Sequence, residues 1–180
     1  MRFAVGKIKD TPLFRGRFIY LVFVLLQAVY GCKVSYSFSG ANTGSLETCS
    51  VQFFPNRAAI VKPSMSQDFT DRLRDYCQRQ TSLRIVSDLG QANFEGEITD
   101  YTTRPVAISG ADRASLNRFS ISVRVKYTNS LDPDLDFDET FTHYEDYDSS
   151  KSLESVEGEL SEQILDRIVE DIFNKAFVNW

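Results

Sequence analysis

Apolar and polar residues alternate most regularly between positions 119 and 127 of the chain. Five apolar residues take the odd positions: Phe119, Ile121, Val123, Val125 and Tyr127. A period of two is typical of a β-strand that buries one face and leaves the other polar. A turn signal follows at Asn129–Pro133, and the residues from Phe137 to Tyr144 then predict the returning strand of a hairpin.

Two other stretches repeat their apolar residues at helical spacing. The first follows Ser64 or Ser66, either of which is a candidate N-cap. Its stripe consists of Phe69, Leu73, Tyr76 and Cys77. The second follows Ser152, another candidate cap, and its stripe includes Val156, Leu160, Ile164, Ile168, Ile172 and Phe173. Each pattern predicts an amphipathic helix that lies on an apolar surface.

Shorter extended segments complete the pattern. Residues 46–54 predict a first strand with Cys49, Val51 and Phe53 on one side, and residues 83–86 predict a short one. Residues 94–98 predict a further strand, which residues 106–108 continue or bulge beyond Pro105. We therefore predict an α+β two-layer sandwich, in which a mostly antiparallel sheet of about four strands carries two amphipathic helices on one face.

The first 31 residues predict an export signal rather than part of this domain. Residues 1–17 hold five basic residues and one acid, and the apolar run 18–30 is broken only by Gln27. A positive segment before a short apolar core is typical of a secretory signal peptide. The run is too short to span a bilayer as a helix, which needs roughly 20 apolar residues.

A cysteine directly follows this run, in the sequence Val29-Tyr30-Gly31-Cys32. The segment resembles a bacterial lipobox, which predicts that Cys32 is acylated and becomes the mature N-terminus. The alternative is an ordinary signal peptide with a cysteine nearby by chance. The predicted organisation is a signal peptide at 1–31, a small, polar lipidated tether at 32–45 and one domain at 46–180.

Removal of residues 1–31 would leave an acidic protein. The whole chain has 20 basic and 25 acidic residues, and the predicted mature chain keeps 15 and 24, a net charge of −9. Nucleic acid is therefore not expected as a partner, because phosphate binding needs a clustered basic surface. Membrane attachment would depend on the acyl chain.

Residues capable of catalysis or of metal binding are sparse. His143 is the single histidine and is expected on the solvent side of a strand, so that a hydrolase would depend entirely on it. No metal-ligand spacing is present, and no cofactor other than the lipid on Cys32 is expected. Alternating carboxylates at Asp132, Asp134, Asp136 and Asp138 resemble a calcium loop, but Pro133 and Phe137 break the pattern. A solvated hairpin tip is the preferred interpretation.

The polar side of the 119–127 strand is the best candidate for a binding surface. Arg118, Arg124 and Lys126, with Arg104 and Arg113 as additional candidates, would form a small basic patch suited to phosphate groups. The alternative is that these charges only keep an open sheet face in solution. Cys49 and Cys77 are compatible with a disulfide or with two buried thiols.

Four segments resemble the LptE-like lipopolysaccharide-assembly lipoproteins. They are Ser50-Val-Gln-Phe-Phe-Pro-Asn-Arg57, Asn93-Phe-Glu-Gly-Glu-Ile98, the stretch from Leu116 to Tyr127, and the C-terminal Val169 to Trp180. The resemblance covers about residues 32 to 180. It implies a small sheet packed under two helices and a palmitate-type lipid on Cys32 that anchors the chain to the outer membrane, facing the periplasm.

The resemblance also implies a role. Members of that family sit as a plug inside a large β-barrel translocon, assist its assembly and the insertion of lipopolysaccharide, and catalyse no covalent reaction. The expected partners are the barrel and, as a second candidate, lipopolysaccharide, with Arg118, Arg124 and Lys126 as the candidate contact residues. The alternative is a periplasmic lipoprotein that serves as a binding or assembly accessory of another envelope complex.

Overall fold

The computed structural model describes residues 41–60, 62–106 and 115–178, and in this part of the chain five strands form one sheet. The strands are β1 (Thr48–Val51), β2 (Arg84–Ile85), β3 (Ala92–Val106), β4 (Leu116–Asn129) and β5 (Phe137–Asp148). Their order across the sheet is β2-β1-β3-β4-β5. The predicted signal peptide, Cys32 and most of the predicted tether lie outside the described residues.

The α+β class predicted from the sequence is confirmed, with two corrections to the sheet. It has five strands instead of about four, and β1 pairs in parallel with both β2 and β3. Strands β3, β4 and β5 are antiparallel, as the hairpin pattern predicts. Periodicity along a strand reports which face is buried, but it carries no information about the direction of the neighbouring strand.

Strand β4 forms the centre of the core. The five apolar residues at its odd positions are all fully buried, and burial of a phenylalanine, isoleucine or valine side chain contributes roughly 1.5–3 kcal/mol. On β3 the register shifts between Ile98 and Asp100, so that Ile98 and Tyr101 both face the core. Of the two alternatives for the residues beyond Pro105, the structure has the continuation, because β3 runs through Pro105 to Val106. Residues 107–108 lie outside the described residues.

Two helices cover the same face of the sheet: α1 (Pro63–Gln80) and α2 (Leu153–Phe177). They contact each other through the rings of Tyr76 and Phe173, whose centroids lie 5.0 Å apart. Most residues of the two predicted apolar stripes are buried, and Tyr76, Val156 and Leu160 are partly buried against the core. This confirms two amphipathic helices on one layer. Neither helix in the described part is long and apolar enough to cross a membrane.

The predicted caps of the helices were only partly right. Lys62 occupies the N-cap position of α1, with no side-chain capping hydrogen bond, so Ser64 and Ser66 do not cap this helix. Ser66 lies inside the first turns, and its carbonyl accepts a hydrogen bond from the Thr70 hydroxyl. Ser152 is the N-cap residue of α2 as predicted, but its side chain makes no capping hydrogen bond.

The first strand ends earlier than predicted. Cys49 and Val51 are buried on β1, but Phe53 is 59% exposed and Phe54 is fully buried in its place. The chain leaves the strand after Val51, and the Phe54 amide donates to the Thr70 hydroxyl on α1. The ring of Phe54 then meets Phe69 edge-on at 4.9 Å. Because β1 ends at Val51, the alternation of the strand no longer decides which side chain is buried, and Phe54 takes the place predicted for Phe53.

Candidate interaction surface

The face of the sheet opposite the helices carries the even-numbered residues of β4, including the three predicted basic residues. Cross-strand register gives each of these residues neighbours from β3 and β5 on the same face. We call this the open face. Among the described residues it holds four cations and six carboxylates. They are Arg104, Arg118, Arg124 and Lys126, with Glu95, Glu97, Asp100, Asp138, Asp146 and Asp148.

Arg118, Arg124 and Lys126 lie on one face as predicted, and each is paired with a carboxylate. Arg118 donates two hydrogen bonds to Asp146, at 2.8 and 2.9 Å. Arg124 donates two to Asp138, both at 2.8 Å. Lys126 Nζ lies 2.7 Å from Glu95 Oε1. The surface is therefore a ladder of ion pairs rather than an unpaired basic patch.

These pairs keep the open face charged over a wide pH range. The hydrogen bonds from Arg124 and Arg118 lower the pKa of Asp138 and Asp146, respectively. The hydrogen bond to Glu95 raises the pKa of Lys126. Bidentate arginine–carboxylate geometry is the strongest form of such a pair and also fixes side-chain orientation. The open face therefore presents a fixed pattern of charge to a partner.

An aromatic contact extends the ladder at the far end of the hairpin. The Arg118 guanidinium lies 3.6 Å from the centroid of the Tyr144 ring, a cation–π arrangement. Arg104 faces Arg118 directly across the strands. Arg113, the other additional candidate, lies outside the described residues.

A shallow cavity of about 500 Å³ occupies the opposite end of the open face. Phe53 contributes an exposed ring to it, next to the ion pairs of Arg124 and Lys126.

The sequence analysis did not predict four residues of this surface: Glu95, Asp146, Tyr144 and Phe53. The register of the β4–β5 hairpin places Asp146 opposite Arg118, whereas the position of Glu95 opposite Lys126 requires the β3–β4 pairing as well.

Three carboxylates of the acidic segment between β4 and β5 are hydrogen-bonded or ion-paired within the hairpin. Asp132 accepts a hydrogen bond from the Asp134 amide and caps a short 3₁₀ helix, Pro133–Leu135. Asp136 accepts a hydrogen bond from the backbone N–H of Asn129 at 2.7 Å, and Asp138 is paired with Arg124. Across the described residues, no group of three or more histidine, cysteine or acidic residues is placed to hold a metal ion. The hydrogen bonds of Asp132 and Asp136 to backbone amides are those of a hairpin tip.

His143 does not point to open solvent as expected. It faces α2, and its Nε2 lies 2.6 Å from Asp171 Oδ2. Two further ion pairs join the same elements, Glu145 with Arg167 and Glu139 with Lys175, both at 2.9 Å. His143 therefore belongs to a row of polar contacts that fastens the C-terminal helix to the edge strand.

The two cysteines of the domain are free and buried. Cys49 lies on β1 and Cys77 on α1, where the two elements pack together. A hydrogen bond with Cys49, together with burial, raises the pKa of the Cys77 thiol. Of the two alternatives left open by the sequence, the structure has the pair of buried thiols.

Comparisons with known proteins give a family and a fold. A family model described as LptE, lipopolysaccharide-assembly, matches residues 46–176. A minor lipoprotein from Acinetobacter baumannii is 14% identical, with a TM-score of 0.48 over 72% of this chain and 91% of its own. A hypothetical protein from Chlamydia trachomatis is 10% identical, with a TM-score of 0.50 over 73% of this chain and 98% of its own. The curated proteins gave no match.

Proposed function

Because the chain belongs to the LptE family of lipopolysaccharide assembly, we propose that it is a lipid-anchored accessory subunit of an outer-membrane lipopolysaccharide translocon. In this proposal it sits as a plug inside a large β-barrel and assists both assembly of the barrel and insertion of lipopolysaccharide. The lipid on Cys32 holds it at the membrane, with the domain facing the periplasm and the barrel lumen.

The observation that carries the plug proposal is the charged, hydrogen-bonded open face. Lumens of outer-membrane barrels are polar and filled with water. A subunit that fills such a lumen needs a surface that exchanges hydrogen bonds and charges with the barrel wall. The ion-pair ladder of Arg118–Asp146, Arg124–Asp138 and Lys126–Glu95 is a surface of this kind.

The balance of charge favours a protein partner over lipopolysaccharide phosphates on this face. Among the described residues its six carboxylates outnumber its four cations. A phosphate group would have to displace a carboxylate from Arg118, Arg124 or Lys126. Barrel side chains of both signs can instead add to existing pairs. We therefore assign the open face to the barrel contact.

The first test is a pull-down of the tagged chain from its own membranes in mild detergent, followed by mass spectrometry. One large outer-membrane β-barrel protein at near-equal stoichiometry is the expected result. Recovery with an unrelated envelope complex would favour the alternative, an accessory lipoprotein of another machine. Recovery of the chain alone would contradict the translocon role. Cys32→Ala should move the chain out of the membrane fraction.

The role of the open face is tested by charge reversal. The triple variant Arg118→Glu, Arg124→Glu and Lys126→Glu should reduce barrel recovery strongly. Arg79→Glu is the control, because Arg79 is exposed in the last turn of α1, away from this face. The swapped variant Arg124→Asp with Asp138→Arg keeps the ion pair but exchanges the positions of the two charges on the open face. It therefore separates loss of the barrel contact from loss of stability of the domain. Unchanged recovery in all variants would exclude the open face.

A further inference from the structure

Within the part of the chain that the structure describes, strand β5 has one open edge. It is the last strand of the sheet, paired with β4 on one side, and among the described residues no strand pairs with its other side. The strand is 12 residues long, and most of it is exposed. Such an edge presents a row of backbone amides and carbonyls that another extended chain can pair with.

Towards this edge, the charges on the open face change from basic on β4 to acidic on β5. Glu95 on β3 is acidic, Lys126 on β4 is basic and pairs with Glu95, and Asp138 on β5 is acidic again. The same order, base on β4 and acid on β5, recurs at Arg118 and Asp146. The next strand that continues this pattern would carry basic residues on this face.

The other face of the edge offers a groove. It lies between β5 and the C-terminal part of α2 and has a volume of about 640 Å³. Its floor contains Phe137 and Phe141, whose rings meet edge-on at 6.0 Å, and Leu135 lies beside them. Four carboxylates also line it (Asp134, Asp136, Glu139 and Asp171), together with Lys175, which is paired with Glu139. The side chains of an added strand that point to this face would therefore contact apolar rings in a groove whose carboxylates outnumber its one lysine.

A second copy of this chain is a poor fit for the edge. Strand β5 carries five carboxylates (Asp138, Glu139, Glu145, Asp146 and Asp148) and no lysine or arginine. Pairing of two β5 edges would place these acids against one another, and like charges across a strand pair destabilise it. The composition disfavours self-association and leaves the edge available to a strand of opposite charge.

We propose that the β5 edge binds an extended segment of a partner protein in which basic residues alternate with apolar ones. The segment adds a sixth strand to the sheet, with its basic side chains beside Asp138 and Asp146 and its apolar side chains in the groove over Phe137 and Phe141. The partner is defined by this chemistry, and the inference stands whether or not it is the barrel of the proposed function.

The test uses the full chain in detergent and a labelled 12-residue peptide of alternating lysine and valine, with binding followed by fluorescence anisotropy. The peptide should bind and protect the backbone amides of residues 137–148 from hydrogen exchange. A peptide of alternating aspartate and valine should not bind. The fully N-methylated lysine–valine peptide keeps the charge but has no amide hydrogen to donate, and it too should fail to bind.

Variants of the chain locate the site. Asp134→Lys reverses a charge that lines the groove and should weaken peptide binding about two- to fivefold, the effect of one exposed charge. Asp75→Lys makes the same change on an exposed position of α1 and should leave binding unchanged. Equal binding of the N-methylated peptide, equal effects of the two variants, or peptide-independent dimerisation in sedimentation would each overturn the proposal.

Discussion

The hydroxyl of Tyr101, on β3, donates a hydrogen bond to the carboxylate of Glu157, one turn into α2. Lys62 Nζ approaches the same carboxylate at 2.9 Å from the start of α1. The hydrogen bond from Tyr101 and the charge of Lys62 lower the pKa of Glu157. One carboxylate therefore joins the sheet to the beginning of both helices.

Tyr101→Phe should lower the free energy of unfolding by about 1–3 kcal/mol, because the variant removes a hydrogen bond to a charged group that is partly buried. Urea denaturation of the full chain measures the difference. Tyr144→Phe is the matched control, since its ring on the open face is exposed and stacks on Arg118 without needing the hydroxyl. Equal loss of stability in the two variants would contradict the role of the Tyr101–Glu157 bond.

The melting temperature should fall as the pH is lowered below about 4.5. The pKa values of Glu157, Asp138 and Asp146 are lower in the folded protein than their ordinary values. Their contribution to stability is therefore complete above the unfolded pKa of about 4 and is lost as the pH falls through the folded values. Calorimetry at pH 7, 5, 4 and 3 measures this loss.

The Tyr101→Phe variant supplies the comparison for the acid titration. Without the hydroxyl the folded pKa of Glu157 lies nearer its ordinary value, so less stability remains to be lost at low pH. The difference in melting temperature between wild type and variant should shrink as Glu157 is protonated. If the difference in melting temperature were the same at every pH, protonation of Glu157 would not be the cause of the loss of stability in acid.

The sequence predicted the buried side of β4 and of both helices because those patterns are long and regular. Val123 and Ile168 follow periods of 2 and 3.6 over many residues, and both are fully buried. The prediction that Phe53 lies on the buried side was wrong, because strand β1 ends two residues earlier, at Val51. Where a short strand ends depends on its partners, here on the contact of Phe54 with α1, and periodicity does not contain that information.

The sequence predicted which face carries the candidate surface, but not that its basic residues are paired with carboxylates. Alternation placed Arg118, Arg124 and Lys126 on one face, which the structure confirms. Their carboxylate partners come from β3 and β5, 14 to 31 residues away in sequence, so the pairs require the strand register. The orientation of His143 towards Asp171 likewise depends on how α2 packs against β5.

The thiols of Cys49 and Cys77 should be unreactive in the native protein and should both react after unfolding. Both side chains are fully buried, and the raised pKa of Cys77 reduces the fraction of thiolate that an alkylating agent can attack. The test is alkylation with iodoacetamide at pH 8, with and without denaturant and without reductant. Mass spectrometry then gives the number of alkylated cysteines. Failure of the unfolded, unreduced protein to be alkylated would mean that the two cysteines form a disulfide.

Two glycines of the domain should respond to alanine in opposite directions. A Cβ at Gly96, on β3, would lie 2.0 Å from the Arg124 carbonyl oxygen and 2.8 Å from a ring carbon of Phe54. A backbone oxygen cannot move without disturbing the β3–β4 ladder, so Gly96→Ala should cost about 1–3 kcal/mol or more of the free energy of unfolding.

Gly158 lies within α2, and a Cβ there would meet nothing within 4 Å. Gly158→Ala should therefore stabilise the protein by about 0.5–1 kcal/mol, because alanine loses less backbone freedom on helix formation. Urea denaturation of both variants beside wild type measures the two changes with the same chemical substitution. A stable Gly96→Ala variant would require a different approach of β4 and Phe54 to β3, and with it a different placement of Arg124 and Lys126 on the open face.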